Sequence, residues 1–359
     1  MTTDIYRKLA NTLDTLPNGF PATKDGLEIK LLKKIFTPDE AELFCDLRLT
    51  FETPEQVAQR TGRPLKGLAE RLTSMWKRGQ LFGVDFGEVT VFKMVPWVLG
   101  LYEFQLDRMD RELAELTEAY NEHFGRQFFK GKPQLMQVLP VEQSLSEKQD
   151  TLPYQQVSTI INAGESFGLA DCICKKEQKL LGKGCDAPLE VCMGIAPVPD
   201  FFKTHPTFRP ISKLKAFEIL EKAEEAGLVH MTSNTKSGHY YICNCCGCCC
   251  GVLKSINKWD LNDGTNSQYY ARIDMETCIQ CGACKDDRCQ VNAIIEQSGE
   301  YTVNREKCIG CGLCVSTCPT ESITLLHRAE GEYITPPENE TAWFEERGRT
   351  RGVDFSQYK

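Results

Sequence analysis

Several ingredients are scarce in this 359-residue chain, and each scarcity excludes something. Its longest apolar stretch, Val95–Leu101, is far short of the roughly 20 residues a membrane-spanning helix needs. The opening MTTDIYRKLANTLDTLPNG lacks the apolar core of a secretory signal, so a cytoplasmic protein is expected. Neither G-x-G-x-x-G nor G-x-x-x-x-G-K-S/T occurs, which leaves nicotinamide, flavin and nucleotide-phosphate binding without support. Positive charge is also short: with a net charge of −8, a chain built chiefly to hold nucleic acid is not expected. Cysteine is nearly absent from the first 171 residues, where only Cys45 occurs.

The remainder is the opposite. Of 19 cysteines, all but Cys45 fall between Cys172 and Cys318. In a reducing compartment such a density points to metal or redox chemistry and not to disulfides. An α+β multidomain chain follows, read as residues 1–95, 96–151, 152–265, 266–328 and a C-terminal tail, 329–359.

Residues 1–95 read as a winged-helix-like domain. Thr37-Pro-Asp-Glu and Thr53-Pro-Glu-Gln open two helices with a capping threonine and a proline at the first helical position. A third helix is expected from Pro64 to about Arg78, burying Leu65, Leu68, Leu72 and Met75, and Leu81–Phe92 reads as two strands around a turn. Helix–helix–helix–hairpin is a helix-turn-helix variant. Its basic residues (Lys66, Arg71, Lys77, Arg78) are interrupted by Glu70, with Asp85 and Glu88 on the wing, so docking is expected more than DNA binding. A long amphipathic helix, roughly Tyr102–Phe124, follows, and Lys130–Thr151 has linker composition.

Residues 266–328 carry the sharpest pattern. Cys278-Ile-Gln-Cys281-Gly-Ala-Cys284 is followed by Cys308-Ile-Gly-Cys311-Gly-Leu-Cys314-Val-Ser-Thr-Cys318-Pro319. The second run is a complete C-x2-C-x2-C-x3-C-P, in which the fourth cysteine serves the other cluster. Two 4Fe–4S clusters are therefore expected, one on Cys278, Cys281, Cys284 and Cys318, the other on Cys308, Cys311, Cys314 and Cys289. The first run departs from the pattern: four residues, not three, separate Cys284 from Cys289, and no proline follows. Asp286 and Asp287 beside it would lower the potential of the adjacent cluster.

Ten more cysteines occupy residues 152–265, expected to be a helical cysteine-rich domain. They are Cys172, Cys174, Cys185 and Cys192, then Cys243, Cys245, Cys246, Cys248, Cys249 and Cys250 in the run CNCCGCCC. The helix within Ile211–Val229 is expected to bring the two groups together. In an extended chain Cys243 and Cys245 face one way and Cys246, Cys248 and Cys250 the other, which suits ligands for one or two further iron–sulfur clusters. Zinc and free thiol chemistry are the alternatives.

Taken together, the winged-helix-like start, C-x-C…GC-D-x-P-L-E-x-C, CNCCGCCC and the two-cluster run resemble 4Fe–4S ferredoxin-type proteins of anaerobic bacteria and archaea. The resemblance implies electron transfer through several clusters to or from a partner oxidoreductase. Two other functions stay open: a redox-sensing winged-helix transcription regulator, and a reductase with an unusual catalytic cluster in the CNCCGCCC segment.

Overall fold

The computed structural model describes residues 4–145 and 152–359; the last part of the expected linker, 146–151, lies outside them. Near the N-terminus, helices Pro38–Cys45 and Pro54–Thr61 begin as their sequences dictate. Thr37 and Thr53 accept hydrogen bonds from the backbone of Glu40 and Gln56, whose side chains reach back in reciprocal capping boxes, and each helix has proline at its start. Gly62, in the left-handed region, closes the second. The third helix is Leu68–Lys77, starting later than expected because Gly67 turns with φ +79°. Leu65 is therefore 48% exposed instead of buried, whereas Leu68, Leu72 and Met75 are core. Strands Phe82–Asp85 and Thr90–Lys93 form an antiparallel hairpin.

The next segments depart from expectation. The long helix is Arg111–Phe128, capped by Asp110, and Glu103–Arg108 before it is a separate 3-10 turn. Within the expected linker, Met136–Leu139 is a fully buried strand. It belongs to a seven-stranded sheet, which corrects the helical expectation for the middle region. The spatial order is Arg209–Ile211, Ser166–Asp171, Glu190–Ala196, Tyr241–Cys245, Val229–Ser233, Met136–Leu139 and Thr265–Asn266. All neighbours are antiparallel except the last pair. The cysteines concealed this sheet, because a strand such as Tyr-Ile-Cys-Asn-Cys spends its alternating positions on thiols and not on Val or Ile.

The C-terminal residues, expected to be a tail, form the helix Glu340–Arg351, which clamps distant segments. Arg347, 2% exposed, donates to the carbonyls of Pro133 and Phe128, and the Trp343 indole donates to the carbonyl of Gln134. Arg351 reaches Asp14. Arg347→Ala leaves two buried carbonyls unpaired and a cavity, so an expected loss of about 2–4 kcal/mol follows. Anaerobic denaturant unfolding followed by tryptophan fluorescence measures it. A loss under about 1 kcal/mol would show that the clamp is dispensable.

Candidate metal centres

Strand Tyr269–Ile273 pairs with Ile323–His327, and Ile294–Gln297 with Glu300–Val303; the two cysteine runs lie in loops between these hairpin strands. Cys278, Cys281, Cys284 and Cys318 line one small pocket together with Cys314, Tyr301 and Pro319. Burial raises Cys318, but hydrogen bonds from Thr320 and from the backbone of Ser322 and Ile323 outweigh that and hold its thiol below the ordinary value. Burial pushes Cys284 up to about 11. Cys308, Cys311 and Cys314 lie within electrostatic reach of Cys289, and burial raises all three, Cys311 to about 12. Backbone N–H groups of Ala293, Ala271 and Gln280 donate to the sulfurs of Cys289, Cys308 and Cys278 at 3.1, 3.4 and 3.4 Å. Charged thiolates are what such donors favour, so both fours fit an iron–sulfur cluster.

The additional residue after Cys284 has a local solution. Cys284–Arg288 forms a single π-helical turn, the form in which a helix absorbs one inserted residue, whereas the matching Leu313–Ser316 of the second run is an α-helical turn. Cys289 is thereby brought beside Cys308 despite the altered spacing. Gly310 and Gly312 are needed where they stand. Both have positive φ, and a Cβ would sit 2.3 Å from the Tyr269 carbonyl and 2.1 Å from the Ser144 hydroxyl respectively.

The ten middle cysteines fall into two groups, each drawing on both sequence segments. The agent is strand pairing and not the intervening helix Lys213–Glu225: Met193 faces Ile242 and Gly194 faces Tyr241 across adjacent strands. The extended reading of CNCCGCCC also fails beyond Cys245. The strand ends there, residues 247–249 turn, and Cys250 caps the helix Gly251–Trp259. The turn sends Cys250 to the side of Cys243 and Cys245 and leaves Cys249 with Cys246 and Cys248.

The first group lines a cavity of about 150 Å³: Cys172, Cys174, Cys192, Cys243, Cys245 and Cys250, with Cys249 also touching it. Hydrogen bonding to a neighbouring thiol (Cys192, Cys243 and Cys245 in turn) and burial raise Cys243, Cys245 and Cys250 well above the ordinary thiol value. The Cys174 thiol donates to Cys172 and, against burial, draws it down to about 7. The other wall comes from the N-terminal half, which sequence reasoning did not connect with the metal chemistry. Tyr102, Glu103, Glu118 and Phe124 line the cavity with Glu177. Burial lifts Glu103 and Glu177 to about 7, and the Tyr102 hydroxyl donates to Glu177 at 2.6 Å. Glu118 pairs with Lys254 at 2.9 Å and accepts from Gln178, tying the long helix to both cysteine segments. Nothing in composition marks these residues, since a Glu on an amphipathic helix reads as solvated.

The second group is tighter. The sulfur of Cys185 lies 3.7 Å from that of Cys246 and 3.8 Å from that of Cys249, and Cys248 lies 3.7 Å from Cys249. The Cys249 thiol donates to Cys246 and, outweighing burial, holds it down to about 5. Lys175, 4% exposed, is placed between the groups; its ammonium donates to the carbonyl of Asn244, and nearby Cys172, Cys245, Cys246 and Cys185 outweigh burial to keep it charged.

Comparison with known proteins finds similarity over part of the chain. Residues 271–325 match the family model of the 4Fe-4S dicluster domain. An uncharacterized ferredoxin of Methanocaldococcus jannaschii is 40% identical over 53 residues, 14% of this chain and 34% of that protein. A probable iron-sulfur subunit of the Frd operon of Proteus vulgaris is 34% identical over 58 residues, 15% of this chain and 37% of the relative. The chain thus spans about a third of the length of the curated relatives it matches. No solved structure matches it. Residues 271–325 are thus similar to a two-cluster iron–sulfur domain of ferredoxin type, and no helix among the described residues is long and apolar enough to cross a membrane.

Proposed function

We propose that this chain is a cytoplasmic electron-transfer protein or subunit that carries electrons through several iron–sulfur clusters to or from a partner oxidoreductase in anaerobic metabolism. The observation that carries it is the interleaving of ligands: Cys318 lines the pocket of Cys278, Cys281 and Cys284, while Cys289 stands with Cys308, Cys311 and Cys314. We assign a 4Fe–4S cluster to each four and a further iron–sulfur cluster to the chamber of Cys172, Cys174, Cys192, Cys243, Cys245 and Cys250. When bound, such clusters supply one-electron transfer at potentials set by charge, hydrogen bonds and exposure.

The residues of the chain hold these sites close together. The Gly247 N–H donates to the Gln290 side chain at 2.8 Å, and the Asn257 amide donates to the Gln290 carbonyl at 2.9 Å, joining the CNCCGCCC turn to the residue after Cys289. No side chain intervenes there, since a Cβ on Gly247 would lie 2.0 Å from that carbonyl. Cys281 and Ile279 are exposed, giving the outer cluster a face on which a partner exchanges electrons. The likeness to a probable iron-sulfur subunit of an operon supports a partner of that kind.

Residues 1–95 serve as a winged-helix-like docking unit rather than a DNA reader. Arg78 is paired with Glu40 and Arg71 donates to the Asp39 carbonyl, so two of the four cations that would meet phosphates are already engaged. A second function, reduction of a small substrate at the chamber, is favoured by one observation. The cavity offers six thiols, more than one four-ligand cluster needs, beside Glu103 and Glu177, which titrate near 7 and are able to hold a proton.

Anaerobic reduction with dithionite tests the electron-transfer function. The expected result is EPR signals of two interacting reduced clusters that vanish on adding a one-electron acceptor. A chain that holds iron and sulfide but cannot be reduced and reoxidised would overturn it.

A further inference from the structure

We infer that Cys185, Cys246, Cys248 and Cys249 hold a single zinc ion, separate from every iron–sulfur cluster of the chain. The four sulfurs all lie within 4.8 Å of one another, and among the described residues this is the one such group of three or more cysteine, histidine or acidic ligand atoms. A tetrahedral tetrathiolate with zinc–sulfur bonds of about 2.3 Å has sulfur–sulfur edges of about 3.8 Å. The observed separations are 3.7, 3.8 and 3.7 Å. In a cubane each thiolate caps a different iron, so the four sulfurs stand further apart, around the cluster instead of around one atom. The eight ferredoxin thiols form no group this closed, which makes the same chain its own control.

The chemistry of the donors agrees. Cys246-Gly-Cys248-Cys249 contains the C-x2-C pair usual in structural zinc sites, hidden in the sequence by the cysteines on either side, and Cys185 completes four ligands with none left open. Among divalent ions a given site prefers zinc to iron(II). A zinc tetrathiolate carries two negative charges, and the buried Lys175 ammonium beside Cys185 and Cys246 offsets part of them. Forming it releases the thiol protons to solvent, and no electron is transferred.

The ion has a mechanical role. It ties the loop before strand Glu190–Ala196 to the turn before helix Gly251–Trp259, and that turn carries Gly247 against Gln290. Zinc thereby fixes the floor on which the two-cluster domain rests, while taking no part in electron transfer itself.

The test uses the full chain, purified anaerobically from cells given both metals and washed with a chelator, with zinc, iron and acid-labile sulfide measured together. About one zinc per chain is expected. Cys185→Ser and Cys248→Ser, both at exposed positions, should each lower zinc at least about tenfold while iron and sulfide stay unchanged. Cys245→Ser, in the chamber, should do the reverse, so misfolding cannot imitate the pattern. Three results would overturn the inference: absence of zinc from the unmodified chain, zinc that persists in both exposed-cysteine variants, or loss of iron in those variants. Iron at this site, mononuclear or clustered, counts against it as fully as an empty site.

Discussion

Replacing Cys318 with alanine is expected to remove the cluster bound by Cys278, Cys281 and Cys284, 34 to 40 residues away in sequence, and to spare the one bound by its own neighbours Cys308, Cys311 and Cys314. The reason is positional. Cys318 follows the helical turn Leu313–Ser316 and lines the pocket of the first run, where Thr320 and the backbone of Ser322 and Ile323 stabilise its thiolate. A thiolate removed there opens one corner of a cubane, and iron is lost from that site. The measurement is comparative. Cys318→Ala and Cys281→Ala should yield the same species, with about four irons lost and one identical remaining EPR signal. Cys289→Ala and Cys311→Ala should yield a second species, different from the first. If Cys318→Ala instead paired with Cys311→Ala, ligation would be local to each run and the interleaved assignment would be wrong.

Much of this was legible in the primary structure, and the parts that were not share a cause. The two-cluster run is readable because its ligand spacing is a local property of a tight loop. Capping boxes at Thr37 and Thr53 are readable for the same reason. The strand Met136–Leu139 was hidden inside polar, proline-flanked sequence, because its place in the sheet is decided by partners at Val229–Ser233 and Thr265–Asn266, far along the chain. Helix Glu340–Arg351 has few apolar positions and docks through Arg347 and Trp343, a mode that periodicity does not report. The cysteine run misled in a more instructive way. Alternation along an extended chain was the correct rule for Cys243 and Cys245, but Gly247 brings a turn that reassigns Cys249 and Cys250 to opposite groups. A single residue of turn thus decides which thiols share a metal.

The largest effect in the middle region is expected at Cys245. The residue is 6% exposed, and its thiol is raised by neighbouring Cys243 and by burial, with Cys250 close by on its other side. Cys245→Ser should cost the whole chain about four of about twelve irons, with matching sulfide, while both ferredoxin signals persist. The full chain is the proper material, because a version ending near residue 265 would lack the buried Arg347 and Trp343 that hold Phe128 and residues 133–134 in place. Serine is close in size to cysteine, so the fold should survive and metal loss report ligation, not collapse. Six thiols for one cluster also predict inequality: some of the six serine variants should lose all of the chamber iron, and those at spare positions little of it. An unmodified chain holding only about eight irons, unaltered by Cys245→Ser, would mean that the chamber is a thiol site. The walls would then matter for a different reason, since Glu103 and Glu177 beside free thiols would be poised to exchange protons with them rather than to tune a cluster.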